Sequence, residues 1–467
     1  MKHIHVAALL ALGLLLFGLN AGGYALWPAD EPRFAEAARE MMLTGDYLVP
    51  RVNGEVYLEK PPLLFWLISL FSLPLGEVTE WSARMPSILS ALAVILFTFL
   101  LARDWFGPRV GFWSALVLMT CVRFWWQART AQIDMLLTAC MMLSLWALWR
   151  WHTEHRARFL LAVYLGVALG LLAKGPPALV FPLLTMVMFY WRRKAERRRL
   201  HWALGLLAAL VLVACWYVPA RFAAAEAPAT ALEAGIGGNL FRNTLGRFLL
   251  GVSKFQPPWY YFETIPVDLF PWSLYLPWTL PWIWKHRRDS ESIGFLLAWT
   301  VPALIFFSIS LGKRAIYILP LFPAFAILLA ASILALAESG HLTWQRRTGY
   351  AWGALLLLLG TAPFALPWTR YPEALSPEVT ATGLLMLVLS AYSLRSARRP
   401  GVGLHLLMAS QFAVVLLMGA LFVLPAVDQY KSAKDITSPV RALSEAKADF
   451  DLFSVGFSSE EYLFHAR

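Results

Sequence analysis

Charged side chains are scarce in this polypeptide. Only 15% of its 467 residues are Asp, Glu, Lys or Arg, against roughly one quarter in a soluble domain. Apolar residues make up 59%, and the mean hydropathy is +0.58. That excludes a water-soluble globule. Cysteine is nearly absent: Cys121, Cys140 and Cys215 all lie within or at the ends of apolar runs, with no CxxC and no metal-type spacing. A disulfide framework and a thiolate metal site are therefore not implied. Acidic residues are the scarcer sign, 29 against 40 Lys and Arg, and in a membrane protein the placement of that basic excess reports topology.

What the chain does have is long apolar runs. A membrane span takes about 20 predominantly apolar residues, and about thirteen such runs are present. They lie near Val6–Leu26, Ala83–Leu101, Val110–Cys121, Ile133–Trp149, Phe159–Ala173, Pro176–Trp191, Trp202–Pro219, Ile265–Trp284, Ile293–Leu311, Ala315–Leu336, Tyr350–Pro367, Ser376–Leu394 and Gly403–Pro425. Met1-Lys-His-Ile-His ahead of the first run also fits the basic start of a signal peptide, but the run is longer than a typical signal core. With the N-terminus in the cytoplasm, twenty Lys and Arg fall in short inner loops and six in short outer ones: Arg123, Arg129, Lys174, Lys313, Arg314 and Arg370. This is the positive-inside pattern. It also accounts for the basic run Arg192–Arg199 as a solvated loop, without nucleic acid. Eight of the nine histidines sort to the inner side, leaving His465 outside. Histidine base chemistry or a multi-histidine zinc site on the outer face is thereby disfavoured; no cofactor is implied and a divalent metal requirement stays open.

The expected architecture is an all-α integral membrane domain over residues 1–425, followed by a tail over 426–467. Its first outer loop, 27–82, is long enough to carry elements of its own. Two helices read from it. In Asp30–Met42, the residues Phe34, Ala37, Ala38, Met41 and Met42 share one face, while Arg33, Glu36, Arg39 and Glu40 take the other, as in a helix lying along the membrane surface. Pro61–Leu70 is apolar all round and leaves Glu59 and Lys60 at its N-terminal end, where a helix start and an ammonium suit an anion. Asp30 reads equally as a helix N-cap, with Pro32 in the first turn. Glu59 and Lys60 read equally as a surface pair.

Three stretches of this loop, Ala29-Asp-Glu-Pro-Arg-Phe-Ala-Glu, Gly45-Asp-Tyr-Leu-Val-Pro-Arg-Val-Asn-Gly and Tyr57-Leu-Glu-Lys-Pro-Pro62, resemble the first periplasmic loop of bacterial aminoarabinose transferases of lipid A. That family sits with the protein O-mannosyltransferases in the C-type glycosyltransferase superfamily. Further likenesses are Asp134 opening the fourth run, Leu172-Ala-Lys-Gly-Pro176, Gly246-Arg-Phe248 before Pro258-Trp-Tyr-Tyr261, and Gly312-Lys-Arg-Ala-Ile-Tyr-Ile-Leu-Pro320. The resemblance runs in order over residues 1 to about 430.

It implies a C-type glycosyltransferase fold in the bacterial inner membrane, with the active site and C-terminus in the periplasm. It also implies a polyprenyl (undecaprenyl) phosphate-linked sugar donor and an acceptor such as lipid A, reacting by inverting displacement. By the same resemblance Asp30 acts as base or orients the acceptor, with Glu31 as companion, and Asp134 joins them. Tyr57 and Tyr317 line the donor-phosphate pocket. Lys60, Lys174, Arg247, Lys313 and Arg314 are the outer cations able to neutralise a leaving phosphate, with Glu59 and Asn243 in support; Arg129, a turn before Asp134, is the nearest partner for its carboxylate.

The likeness weakens in two places. Asn239–Phe248 lacks the histidine that aminoarabinose transferases carry before Arg-Phe, which leaves the sugar and any metal open. In the tail, Asp428–Lys447 reads as a helix and Asp451–Phe457 as a strand. A single strand does not stand alone, so the tail is either cut short or pairs with something beyond this sequence. A carrier or flippase for a lipid-linked sugar is the competing reading, because intramembrane Asp134 fits one too. A docking subunit built on Trp259, Tyr260 and Tyr261 in the second long outer segment, 220–264, is the third.

Overall fold

The computed structural model describes residues 3–224, 255–369 and 375–432. Helices dominate it. From the N-terminus they are α1 His3–Gly18, α2 Glu31–Thr44, α3 Leu63–Ser72, α4 Glu80–Phe106, α5 Pro108–Met119, α6 Val122–Ala128, α7 Ile133–Glu154, α8 Ala157–Lys174, α9 Pro177–Phe189, α10 Lys194–Arg199 and α11 Trp202–Ala223. Eight further α-helices run from Tyr260 to Lys431, and the one sheet among the described residues is a hairpin of β1 Arg51–Val52 and β2 Glu55–Val56.

Nine helices among the described residues are long and apolar enough to cross a membrane, from Glu80–Phe106 to Val402–Asp428. Val6–Gly18, Leu63–Leu75 and Pro177–Phe189 are shorter apolar helices. The run Ile265–Trp284, expected as one span, is broken. It divides into Tyr260–Asp268, a 3-10 turn at Trp272–Tyr275, and Leu276–His286; Pro271 and Pro277 stand where the pieces meet, each lacking the backbone donor that would continue the preceding helix, and Pro266 and Pro281 lie inside the two helices. Of the expected tail helix Asp428–Lys447, the part up to Lys431 is helical as the end of Leu424–Lys431 and Ser432 is extended, while 433–447 and the strand at 451–457 lie outside the described residues.

The polar face of α2, which on a surface helix is expected to meet water, is covered instead. Glu31, Glu36 and Glu40 are all buried, so the polar face of α2 is turned into the protein. Arg39 donates to Glu36 at 2.6 Å, and the hairpin tip covers Glu40. α3 packs Leu64, Phe65 and Ile68 against Phe34, Ala38 and Met41 of α2, and this apolar cluster continues to Ile133 and Leu136 of α7 and Ala173 of α8. The first loop is thus seated on the ends of α7 and α8.

Those two helices form an antiparallel pair whose closeness comes from glycine. A Cβ on Gly166 would lie 2.4 Å from Ser144 Oγ and 2.6 Å from the Cys140 carbonyl of α7, and one on Gly170 would lie 3.6 Å from Cys140 Cβ and 2.8 Å from Ala178 Cβ of α9. Small residues at such crossings let backbones approach, and a hydroxyl can then bond across helices; Ser144 Oγ donates to the Val163 carbonyl at 2.8 Å. Gly166→Ala is expected to destabilise the protein by about 1–3 kcal/mol, the usual cost of overpacking, read as a lower melting temperature in detergent. Gly294→Ala, where an added Cβ meets nothing within 4 Å, is expected to leave it unchanged.

Candidate active site

α4 carries an arginine in its second turn, and that residue organises everything around Asp30. Arg84 is fully buried and uses every donor direction of its guanidinium. Nε and Nη2 donate to the two oxygens of Glu31 at 3.0 and 3.2 Å. Nη1 donates to the carbonyls of Ala21 and Tyr24 at 2.6 and 3.0 Å, and Nη2 also to that of Ala25 at 2.7 Å. The Tyr24 ring lies 3.8 Å from the guanidinium carbon. Glu31 is equally engaged: its carboxylate also accepts the Trp27 N–H at 3.0 Å and the Ala131 N–H at 2.7 Å. One side chain therefore joins the start of α2 to the segment that enters α7.

The segment between α1 and α2 is gripped from the other side as well. Asp428, in the helix Leu424–Lys431, accepts the Ala25 N–H at 3.1 Å and the Trp27 Nε1–H at 2.6 Å, and the Lys431 ammonium lies 4.9 Å from the Trp27 ring centre. Asp30 follows directly. It occupies the N-cap position of α2 in a helical conformation and makes no side-chain cap bond, so its half-buried carboxylate is not consumed by the helix start.

Tyr57 and Lys60 reach the same region from the hairpin. The Tyr57 N–H donates to the Pro50 carbonyl at 2.8 Å, extending the ladder past β2. Burial pushes the Tyr57 phenol well above its usual range, with Glu59 and Asp30 adding to the rise and the Arg33 guanidinium opposing it. Val49 and Leu58 are buried against Leu172 at the end of α8 and Trp216 of α11. Lys60 is half-buried and Glu59 exposed, just ahead of the Pro61–Pro62 entry to α3.

Asp134 lies in the first turn of α7 and Lys174 ends α8; the two form an ion pair. Arg129, expected as the partner of Asp134, goes elsewhere. Its Nη1 donates to the carbonyls of Leu16, Phe17 and Leu19 at 3.2, 2.9 and 2.8 Å, a cation closing the C-terminal end of α1. Arg123 is likewise bound, donating to Asp268 at 2.9 Å. The Lys174 ammonium also lies 5.3 Å from the centre of the Tyr317 ring, which brings the 3-10 helix Ala315–Leu321 to the ends of α7 and α8.

Beside it, Lys313 is buried and donates to the Gln256 carbonyl at 2.8 Å, and burial lowers the pKa of its ammonium. The Arg314 carbonyl accepts the Tyr261 hydroxyl at 3.3 Å, and its side chain is half-buried. Asp30, Glu31, Tyr57, Lys60, Asp134 and Lys174 are thus drawn to one end of the bundle by shared packing, with Tyr317 joined to them through Lys174. Arg247, Asn243 and Arg370 lie outside the described residues. Among those described, no group of three or more His, Cys, Asp or Glu side chains is gathered as a metal site.

Arg84 is central to this arrangement, yet the sequence motifs do not single it out. The signal for it was available, since an arginine inside a long apolar helix is expensive and implies a partner.

Comparison with known proteins shows the family and the fold. An undecaprenyl phosphate-α-4-amino-4-deoxy-L-arabinose arabinosyl transferase of Pseudomonas aeruginosa (strain LESB58) is 31% identical over 401 residues, spanning 82% of this chain and 70% of the relative. This chain belongs to that family. A relative from Erwinia tasmaniensis is 29% identical over 87% of the chain and 76% of its own length. Residues 59–218 match the family model for dolichyl-phosphate-mannose-protein mannosyltransferase. The crystal structure of ArnT from Cupriavidus metallidurans bound to undecaprenyl phosphate superposes with a TM-score of 0.79 at 22% identity, over 99% of this chain and 84% of that one. The archaeal oligosaccharyltransferase AglB from Archaeoglobus fulgidus gives 0.53 at 13% identity, over 98% and 62%. The fold is that of these polytopic glycosyltransferases.

Arg84→Met would strand Glu31 as a buried, unpaired carboxylate, which costs about 3–5 kcal/mol. The expected result is a strongly lowered melting temperature in detergent. The pair Arg84→Met with Glu31→Gln is expected to recover part of it; a double variant less stable than Arg84→Met alone contradicts the clasp.

Proposed function

We propose that this protein is an inner-membrane glycosyltransferase that moves an aminoarabinose-type sugar from undecaprenyl phosphate to a periplasmic acceptor, a phosphate of lipid A. The observation that carries the reading is the Lys174 ammonium held between the Asp134 carboxylate and the face of Tyr317, at the end of the bundle where Glu31 ties the helix after Asp30 to the approach of α7. Family membership supplies the donor and the sugar. In this assignment about thirteen crossings place the N-terminus in the cytoplasm and the site in the periplasm. The membrane domain covers residues 1–425 and the tail 426–467.

The reaction is a single displacement. An acceptor oxygen attacks the anomeric carbon, the bond from that carbon to the phosphate oxygen breaks, undecaprenyl phosphate departs with the electron pair, and the configuration inverts. Asp30 orients the acceptor and takes its proton where it carries one. Lys60, Lys174, Arg247, Lys313 and Arg314 neutralise the phosphate as its charge grows, and Tyr57 and Tyr317 donate to its oxygens. Asp134 aims Lys174. Glu31 holds the backbone that presents Asp30, since its own oxygens are taken by Arg84, Trp27 and Ala131. A carrier reading fits less well, because Asp134 and Lys174 pair at helix ends, whereas carriers bind near the bilayer midplane on broken helices.

Asp30→Ala and Lys60→Ala are each expected to reduce transfer from labelled undecaprenyl-phosphate-aminoarabinose to lipid A by at least 10²-fold, the scale of acid–base and electrostatic terms, while the melting temperature stays close to the parent's. Normal turnover by Asp30→Ala refutes the assignment; transfer to peptide or glycan but not to lipid A redirects the acceptor.

A further inference from the structure

The hairpin that delivers Tyr57 and Lys60 is too small to hold its own shape. Each strand has two residues, paired Arg51 with Val56 and Val52 with Glu55, and a two-stranded ribbon of this size needs outside support. Its turn residues Asn53 and Gly54 have φ of 58° and 78°, the two left-handed positions of a tight hairpin turn. The base is fastened by indoles: Trp66 Nε1 donates to the Tyr47 carbonyl at 2.8 Å and Trp216 Nε1 to that of Leu48 at 3.0 Å. The tip is fastened by a carboxylate. Glu40 on α2 is buried, and both its oxygens accept the Gly54 N–H, at 3.1 and 3.2 Å.

Burying a carboxylate is costly unless it is well bonded, and here the bond joins the helix that follows Asp30 to the strand that runs into Tyr57 and Lys60. A shift at the tip is passed along the two-residue ladder to the Tyr57–Pro50 bond that continues it, and so to the chain leading to Lys60. We infer that Glu40 is a positioning residue for the donor phosphate: by latching the Asn53–Gly54 turn onto α2 it sets where Tyr57 and Lys60 stand relative to Asp30. The inference rests on the function proposed above. It assigns Glu40 no contact with substrate.

The test measures binding of undecaprenyl phosphate to the purified full chain in detergent, so that placement is read apart from turnover. Glu40→Ala is expected to weaken binding about tenfold, and Lys60→Ala by at least as much. The double variant is expected to bind little worse than Lys60→Ala alone, because a displaced Lys60 has already lost its contribution; coupling of this kind separates positioning from general loss of stability. Glu40→Gln keeps one carbonyl acceptor for the Gly54 N–H and is expected to restore most of the binding. If Glu40→Ala does not fold, Gly54→Ala perturbs the same turn without touching the carboxylate, because the added side chain disfavours a φ of 78°, and it is expected to reproduce the loss. Parental binding by Glu40→Ala or by Gly54→Ala, or losses that simply add, overturns the role of Glu40. Failure of the parent protein to bind undecaprenyl phosphate overturns the proposed function and this inference with it.

Discussion

A buried ion pair between Arg84 and Glu31 sets the geometry of the outer end of this protein. Taking an arginine and a glutamate out of water costs several kcal/mol per ion, and their attraction repays it only when the remaining donors and acceptors are also satisfied. Here they are: the guanidinium serves three backbone carbonyls besides the carboxylate, and the carboxylate serves two backbone N–H groups besides the guanidinium. The arrangement tolerates little displacement, because any shift of the 21–31 segment leaves buried polar groups without partners. Rigidity at that point is what a half-buried Asp30 needs. Its own carboxylate is not tied to the helix start, so its position is inherited from the neighbouring residue.

Much of the membrane architecture is legible in the amino-acid order, since hydrocarbon length and apolar runs obey the same ruler. Every long helix found falls on a run expected from composition. The exceptions have physical reasons. Ile265–Trp284 has the hydropathy of one span but carries prolines at positions that end helices. In α2 the periodicity correctly divides the residues into two faces yet says nothing of what covers the polar one. Two-sided burial of a helix carrying Glu31, Glu36 and Glu40 is paid for by Arg39, one turn on from Glu36 in the same helix, and by Arg84 and Gly54, which the fold brings near from other segments. Local spacing likewise pointed Arg129 toward Asp134 because they are close in sequence. The chain instead turns between α6 and α7, aiming Arg129 at the open end of α1 and leaving Asp134 to a lysine 40 residues away. The candidate site residues were found through motif likeness rather than periodicity, because they sit at helix ends and in a hairpin, where no repeat marks them.

The structure also sorts the polar residues at this end into two kinds. Glu31, Arg84, Arg129 and Glu40 are buried and hold backbone groups in place. Asp30, Lys60, Lys174, Arg314 and Tyr317 are only partly buried, which leaves them within reach of a ligand. The division explains why Asp30 and Glu31, adjacent in sequence, take different parts in the proposed transfer.

The pairing of Lys174 with Asp134 bears on how such a site favours reaction over mere binding. A sugar linked to a polyprenyl phosphate is a phosphodiester with one negative charge. When the bond to the anomeric carbon breaks, the departing phosphate monoester gains charge on the oxygen that leaves. Catalysis requires interactions stronger in the transition state than in the ground state. An ammonium already shared with a carboxylate and set against an aromatic face has little to gain from a weakly charged substrate, and more to gain as charge develops. It is also aimed beforehand, so little reorganisation is needed at the moment of transfer. In the proposed transfer Asp134 thereby acts on the phosphate through Lys174. The same carboxylate that keeps the lysine from standing unpaired at a membrane boundary makes its help largest where the leaving group is most negative.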